Sequence, residues 1–333
     1  MTDRSDKTTA VILAGAVAKG AFEAGVLDVL ASRDAKVTTV VGTSAGALNA
    51  TLYAAGVALG REDDAARRLV ELWGRRASFA GFYSPAPLGL LGQGGLSTMK
   101  RVRALLRRQL DEMFEGSVGA QAPVELRLVV TRLEGRVSLM ADGTEGTTYE
   151  EVVGFDQSDL ADPSRRDEIA AAAAASASFP GLFTPLALSG LGRCLDGGIV
   201  NNTPIKEALS DPEVERVVVV VPHPARAPGK DHHTLLGLLL HLGDIVAHER
   251  LFRDLKVARD VNAALERLEA LGLKPKQLDA VYNALYTKRP RPIEIVEVRP
   301  SEHLEGTVFC GFFCPKLRKD YVTAGREQAE RVL

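Results

Sequence analysis

Four short runs of branched apolar residues punctuate the chain: TAVILA at 9–14, VTTVV at 37–41, ELRLVVT at 125–131 and RVVVVV at 216–221. Continuous runs of this kind, without polar alternation, suit strands covered on both faces, as in a parallel sheet. Between the first two lies AFEAGVLDVLAS, where Phe22, Val26, Leu27 and Leu30 recur at helical spacing. The pattern predicts a βαβ unit ending at Val41, with a second helix opening beside Ser44. From about Asp231 the apolar positions become interleaved with charge, as in LLGLLLHLGDIVAHERLFRDL, and the region reads as mainly helical. PIEIVEV at 292–298 predicts one more strand returning to the sheet. The expected organisation is a polar N-terminal tail over 1–8, an α/β core with a mostly parallel sheet over 9–222, and a mainly helical extension over 223–333 packed on that core.

Two segments depart from these patterns. FAGFYSPAPLGLLGQGGL at 79–96 is apolar yet rich in glycine and proline, which predicts a loop, either packed down on the core or acting as a lipid-contacting lid. KRVRALLRRQ at 100–109 places five basic residues on one predicted helix, either as a solvated face or as an attraction for anionic head groups.

Composition narrows the class. With 46% hydrophobic and 25% charged residues the chain is an ordinary soluble globular protein, and a net charge of -2 offers no basic excess for a nucleic-acid partner. Cys194, Cys310 and Cys314 supply one C-x-x-x-C spacing without a second ligand pair, so no zinc site is expected. Buried thiols in a reducing compartment are the plainer reading. The polar start MTDRSDKTTA resembles neither a cleavable signal nor an anchor, and LLGLLLHLG at 235–243 is short of the ~20 residues a spanning helix needs. The expected location is cytoplasmic, with peripheral contact at a membrane surface left open.

Candidate chemistry starts at VVGTSAGA, residues 40–47. Gly42, Ser44 and Gly46 form G-x-S-x-G directly after a predicted strand and before a predicted helix, the context in which a sharp turn lifts a serine hydroxyl out of a sheet. Small residues at Ala45, Gly46 and Ala47 permit close approach, and the helix N-terminus favours negative charge beside Ser44. The bland alternative is a glycine-rich turn with a capping serine. After the first strand comes AGAVAKG, 14–20. A P-loop would need Lys and then Ser or Thr after the last glycine, but Ala21 and Phe22 follow Gly20; a dinucleotide fingerprint would need glycine where Val17 stands. What remains is a small-residue turn with backbone N–H groups one strand from Ser44, the kind of donor set a tetrahedral oxyanion requires. The third feature is LDGGIVNNTP, 195–204, where Asp196 precedes Gly197 and Gly198; alone it reads as a turn.

Together these features resemble the patatin-like lipid acyl hydrolases, which carry a glycine-rich oxyanion motif, a G-x-S-x-G nucleophile and an Asp-Gly-Gly motif in this order. Here they are Gly15 to Gly20, Gly42 to Gly46 and Asp196 to Gly198, and SASFPGLFTPL at 176–186 is similar to the family's segment ahead of the aspartate. The resemblance covers about residues 9 to 222. It implies a three-layer α/β/α fold and a Ser44–Asp196 dyad working without histidine. It also implies an oxyanion hole around Gly15, Ala16, Val17 and Ala45, Lys19 at the family's basic position, and no metal or cofactor. The implied substrates are fatty-acyl esters of lipids. One departure stands out: the family's three consecutive glycines are Gly15, Ala16 and Val17 here, and a branched valine narrows the site or restricts the turn.

A triad is the alternative. His223 follows the fourth predicted strand, and the order Ser44, Asp196, His223 matches that of α/β-hydrolases. Against it, only two predicted strands precede the serine, and the P-H-P setting is rigid. His232, His233, His241, His248 and His303 read as solvated or structural. A soluble carboxylesterase or thioesterase, or a non-catalytic membrane- or protein-binding module on the same fold, are the competing functions.

Overall fold

The computed structural model describes residues 7–82, 84–86, 94–117, 119–139, 143–209, 211–225, 235–271, 277 and 291–333. The chain opens with β1 (Thr9–Leu13), α1 (Gly20–Ala31) and β2 (Val37–Thr43), the predicted βαβ unit, followed by α2 (Ala45–Ala58), α3 (Glu62–Glu71) and a π-helical turn, Leu72–Arg76. Next come α4 (Phe79–Phe82), β3 (Gly95–Ser97) and α5 (Lys100–Phe114), then a hairpin of β4 (Glu125–Leu139) and β5 (Glu145–Asp156). After α6 (Gln157–Ala161) and α7 (Arg166–Ser176), three short strands follow, β6 (Gly181–Phe183), β7 (Leu186–Leu188) and β8 (Gly192–Asp196). The chain closes with α8 (Ile205–Leu209), β9 (Arg216–Val220), α9 (Leu235–Ala270), β10 (Glu294–Val298), α10 (Cys310–Phe313) and α11 (Pro315–Val332).

The main sheet has the order β10-β9-β1-β2-β4-β8-β7, with β5 also on β4. β10, β9, β1, β2 and the first part of β4 are mutually parallel, whereas β5 and β8 run antiparallel to β4. The branched runs behave as their pattern requires: Val11 and Leu13 enter one buried cluster, Ala10, Ile12 and Ala14 the other, and Val218 and Val220 oppose Val217 and Val219 in the same way. Side chains two apart share a face, so alternating membership of two cores means helices cover both sides of the sheet. One core takes α1, α2, α5, α7 and α11; the other takes α8 and α9. That is the expected three-layer α/β/α arrangement, with a helical C-terminal region.

The C-terminal helix touches α1 backbone to backbone. A Cβ on Gly25 would lie 2.1 Å from the Val322 carbonyl oxygen, and one on Gly325 would lie 2.0 Å from that of Phe22. Arg326 ion-pairs with Asp28 at 2.7 Å along the same seam. Buried Arg318 donates to the carbonyls of Trp73 (2.7 Å), Gly311 and Gly74, tying α11 to α10 and the π-turn.

Several expectations are corrected. The stretch 79–96 is not wholly irregular: it holds α4 and β3, and β3 pairs in parallel with β6. Residues 83 and 87–93 of that stretch lie outside the described residues. The strand expected over 125–131 continues to Leu139 as half of a hairpin, because beyond Thr131 it leaves the covered part of the sheet and its exposed residues lose the buried-strand signature. The basic residues of α5 form a solvated face, the first of the two expectations for them, with Arg103 and Arg107 paired to Asp167, Arg107 to Asp111 and Arg108 to Glu112. Only Cys194 of the three thiols is buried. Among the described residues no helix is long and apolar enough to cross a membrane.

The helix seam yields a stability test. Gly25→Val drives a branched side chain into a backbone carbonyl and is expected to lower unfolding stability by at least about 2 kcal/mol. Gly74→Ala, where a Cβ meets nothing within 4 Å, leaves it unchanged or slightly higher. Urea titration of both variants reads the difference.

Candidate active site

Two strands converge on one edge of β4. Thr43, the last residue of β2, pairs with Val129, and Asp196, the last residue of β8, pairs with Val130. Because β5 occupies the opposite edge at Val130 and Thr131, β2 and β8 lie end to end, approaching from opposite directions. The residue after Thr43 therefore meets the carboxylate that ends β8. Ser44 Oγ donates to Asp196 Oδ2 at 2.7 Å across a sequence separation of 152. Both residues are buried, Ser44 with 6% and Asp196 with 4% of its surface exposed.

Local chemistry fixes each partner. Ser44 sits at φ 54°, ψ −125°, a conformation L-residues rarely adopt, between β2 and α2. Gly42 and Gly46 make that turn possible: a Cβ at Gly46 would lie 2.2 Å from the Leu13 carbonyl oxygen, and one at Gly42 would lie 2.6 Å from the Gly46 carbonyl oxygen. The Ser44 N–H donates to Ser176 Oγ (2.9 Å), which in turn donates to the Val129 carbonyl (2.6 Å). Asp196 is held by its own backbone: its N–H donates to Ser178 O, Thr131 Oγ1 donates to its carbonyl, and its Oδ1 accepts from Gly198 N at 2.8 Å. Gly197 lies so close to β4 that a Cβ would be 2.1 Å from the Val129 carbonyl oxygen.

The glycine-rich turn lies beside this pair. Gly15 is not an oxyanion donor as expected, because its N–H donates to the Asn202 carbonyl at 3.2 Å. It serves instead by lacking a side chain, since a Cβ there would lie 2.1 Å from Asn202 Oδ1 and 2.9 Å from Ser44 Cβ. Of the other expected donors, Val17 and Ala45 line the cavity containing Ser44, while Ala16 is buried outside that lining. The Ala45 N–H opens α2 and has no acceptor within its own helix. Gly20 packs where a Cβ would meet the Trp73 ring at 2.7 Å. Lys19, at the family's basic position, is buried with 2% of its surface exposed.

Residues 11–209 match the profile of the family described as patatin-like phospholipase. The chain belongs to that family. No curated protein matches it significantly. Among solved structures, VipD from Legionella pneumophila aligns at 15% identity and TM-score 0.43 over 98% of this chain and 66% of its own. The type III effector protein ExoU aligns at 14% and 0.40 over 98% and 52%. This chain thus spans just under two thirds and about half of those proteins.

Against the patatin-like pattern, Val17 is the unusual position. It stands at φ 52°, a left-handed conformation that glycine takes freely and a β-branched residue takes at a cost of order 1–3 kcal/mol. His223 follows β9 and takes no part in the Ser44–Asp196 hydrogen bond. His232 and His233 lie outside the described residues, as do the side chains of His241 and His248; His303 is half-buried in the C-terminal region.

Three contributors escaped the sequence reading. Ser176 holds the Ser44 backbone; it opens the SASFPG stretch, where its small hydroxyl was the available signal. Asn202 clamps both polar groups of Gly15, its Nδ2 donating to the Gly15 carbonyl at 3.0 Å. Trp73 walls the cavity and donates its indole N–H to Asn49 Oδ1 at 2.7 Å. Asn49 completes a buried network by donating to Gly20 O and Glu23 Oε2. Burial pushes the Glu23 carboxyl well above the usual carboxylate range, against the pull of the Asn49 hydrogen bond.

Burial likewise pushes Asp196 from 3.8 up to about 6, with the hydrogen bonds from Ser44 and Gly198 opposing it. A folded value above the unfolded one means the carboxyl's contribution to stability is complete below about pH 4 and lost as pH rises through about 6. The shift corresponds to about 3 kcal/mol. Asp196→Asn is therefore expected to be more stable than the parent by about 2 to 3 kcal/mol at pH 8 and about equal to it at pH 4. Chemical denaturation at the two pH values measures this; an equal difference at both contradicts it.

Proposed function

We propose that this protein is a serine-dependent acyl-ester hydrolase that cleaves fatty-acyl esters of lipids, with Ser44 as nucleophile and Asp196 as general base. The observation that carries the reading is the buried 2.7 Å hydrogen bond from Ser44 Oγ to Asp196 Oδ2. A carboxylate whose pKa stands near 6 is ionised at neutral pH yet basic enough to take a proton in the transition state. Membership of the patatin-like phospholipase family supports the substrate class.

The reaction runs in two steps. Ser44 Oγ bonds to the ester carbonyl carbon as its proton passes to Asp196 Oδ2, and the carbonyl π pair moves to oxygen. The N–H groups of Val17 and Ala45 receive that oxyanion, with the positive end of α2 behind them. Collapse expels the alcohol portion, which takes the proton from Asp196. Water then gives a proton to Asp196 as it attacks the acyl-enzyme, and Ser44 recovers that proton as the fatty acid leaves. Ester and water become alcohol and acid, with the protein unchanged. Because Ser44 bonds directly to the carboxylate, no imidazole is interposed.

A second reading, a soluble carboxylesterase or thioesterase using the same pair, draws support from the cavity at Ser44, whose volume of about 40 Å³ suits a short acyl group better than a long one. The non-catalytic module draws support from Val17 but leaves a buried, costly carboxylate without a use.

Ser44→Ala and Asp196→Asn are each expected to lower kcat on a phospholipid and on a short-chain ester by at least about 1,000-fold, while His223→Ala stays within about threefold of the parent. Loss of activity in His223→Ala with retention in Asp196→Asn would replace the dyad by a triad. Since the base must be ionised, kcat/KM rises with pH through about 6 and then levels off. A profile that falls through that range excludes Asp196 as the base.

A further inference from the structure

The cavity at Ser44 does not stand alone. A second cavity, also about 40 Å³ and almost wholly apolar, is lined by Leu52, Leu69 and Leu105 among others. Leu48, Trp73, Phe82 and Val102 line both spaces and so form the partition between them. Phe82 is braced by Phe312, whose ring meets it edge to face at 5.4 Å between centroids and 89° between planes, an arrangement favourable for aromatic pairs. Phe312 itself lines the first cavity.

Phe312 belongs to α10, outside the stretch that matches the family profile. Its position is fixed from two sides. Ala18 of the glycine-rich turn donates its N–H to Val308 O at 3.0 Å, and a Cβ on Gly311 would lie 2.9 Å from that of Ala18. Arg318, 2% exposed, donates both to Gly311 O beside Phe312 and to Trp73 O in the partition. A second edge-to-face pair, Phe309 with Phe179 at 5.7 Å, lines the same cavity. One guanidinium thus holds the brace and the wall in register.

A cavity of about 40 Å³ has room for about three water-sized groups, enough for a short acyl stub and far too little for a long fatty chain. A longer chain attached at Ser44 outgrows this space, and the adjoining apolar room lies behind Phe82. Resting on the hydrolase reading above, we infer that the Phe82–Phe312 pair is the stop that sets acyl-chain length at Ser44. The pair makes short acyl groups the faster reactants and admits a long chain only when Phe82 swings aside. Removing Phe312 frees Phe82; removing Phe82 joins the two cavities outright.

The test uses the full chain and two p-nitrophenyl phosphonates, one with an ethyl and one with a dodecyl chain, and follows labelling of Ser44 by intact mass. The readout is the ratio of dodecyl to ethyl labelling rates. Phe312→Ala and Phe82→Ala are each expected to raise that ratio about tenfold, and Phe312→Leu, which keeps most of the volume, about threefold. Phe313→Ala removes an exposed neighbouring ring that lines neither cavity and is expected to leave the ratio where it was. An unchanged or lower ratio in the alanine variants, or in Phe312→Leu if those do not fold, overturns the inference. So does an equal rise in Phe313→Ala, which would mark general loosening. If neither phosphonate labels folded parent protein at Ser44, the hydrolase reading fails and takes this one with it.

Discussion

The structure is organised around a hydrogen bond between a hydroxyl and a carboxylate that are both withdrawn from water. Its existence is a matter of sheet register. β2 delivers Ser44 from one direction along an edge of β4, β8 delivers Asp196 from the other, and the strands stop one β4 residue apart. A carboxylate shut away from solvent is expensive unless its hydrogen-bonding capacity is used. Here the Ser44 hydroxyl and the Gly198 N–H use it, while burial keeps the carboxyl's pKa raised.

That arrangement is costly in other ways. Ser44 and Val17 both hold positive φ, a strain that persists only where the surroundings over-determine it. The surroundings do so through backbone contacts more than side-chain volume: Gly15, Gly42, Gly46 and Gly197 each let one element touch another's polar groups where a methyl group would not fit. The alanine run of α7 is buried along its length and ends in Ser176, which accepts from the Ser44 N–H. The C-terminal helix extends the logic, since it meets α1 through glycines and supplies Arg318 to the backbone of Trp73 in the cavity wall.

Much of this was legible in the sequence because its signals are local. The branched runs announced strands buried on both sides, and G-x-S-x-G after such a run announced the turn. Asp196 was legible only through family resemblance, since a D-G-G triplet is indistinguishable from an ordinary turn until β8 is laid against β4. The rest was hidden for definite reasons. The β4–β5 hairpin leaves the covered part of the sheet, so its residues lose the apolar pattern by which strands are found. Trp73 reaches the cavity from a π-turn, and no periodicity marks a π-turn. Phe312 and Arg318 act across some 240 residues of chain, and nothing in CGFF or KLRKD points to a serine near the other terminus.

The meeting of β2 and β8 also limits where the chain tolerates inserted length. Side chains on a strand alternate faces, so a slip of a single residue in β8 would point the acid to the wrong side of the sheet. Only three pairings, Asp196 with Val130, Leu195 with Thr131 and Cys194 with Arg132, hold that alignment. The turn between β7 and β8, where Gly190 already holds a left-handed conformation, is where extra residues can loop out harmlessly. Between Cys194 and Asp196 a single added residue would leave a folded protein whose Ser44 has lost its carboxylate partner.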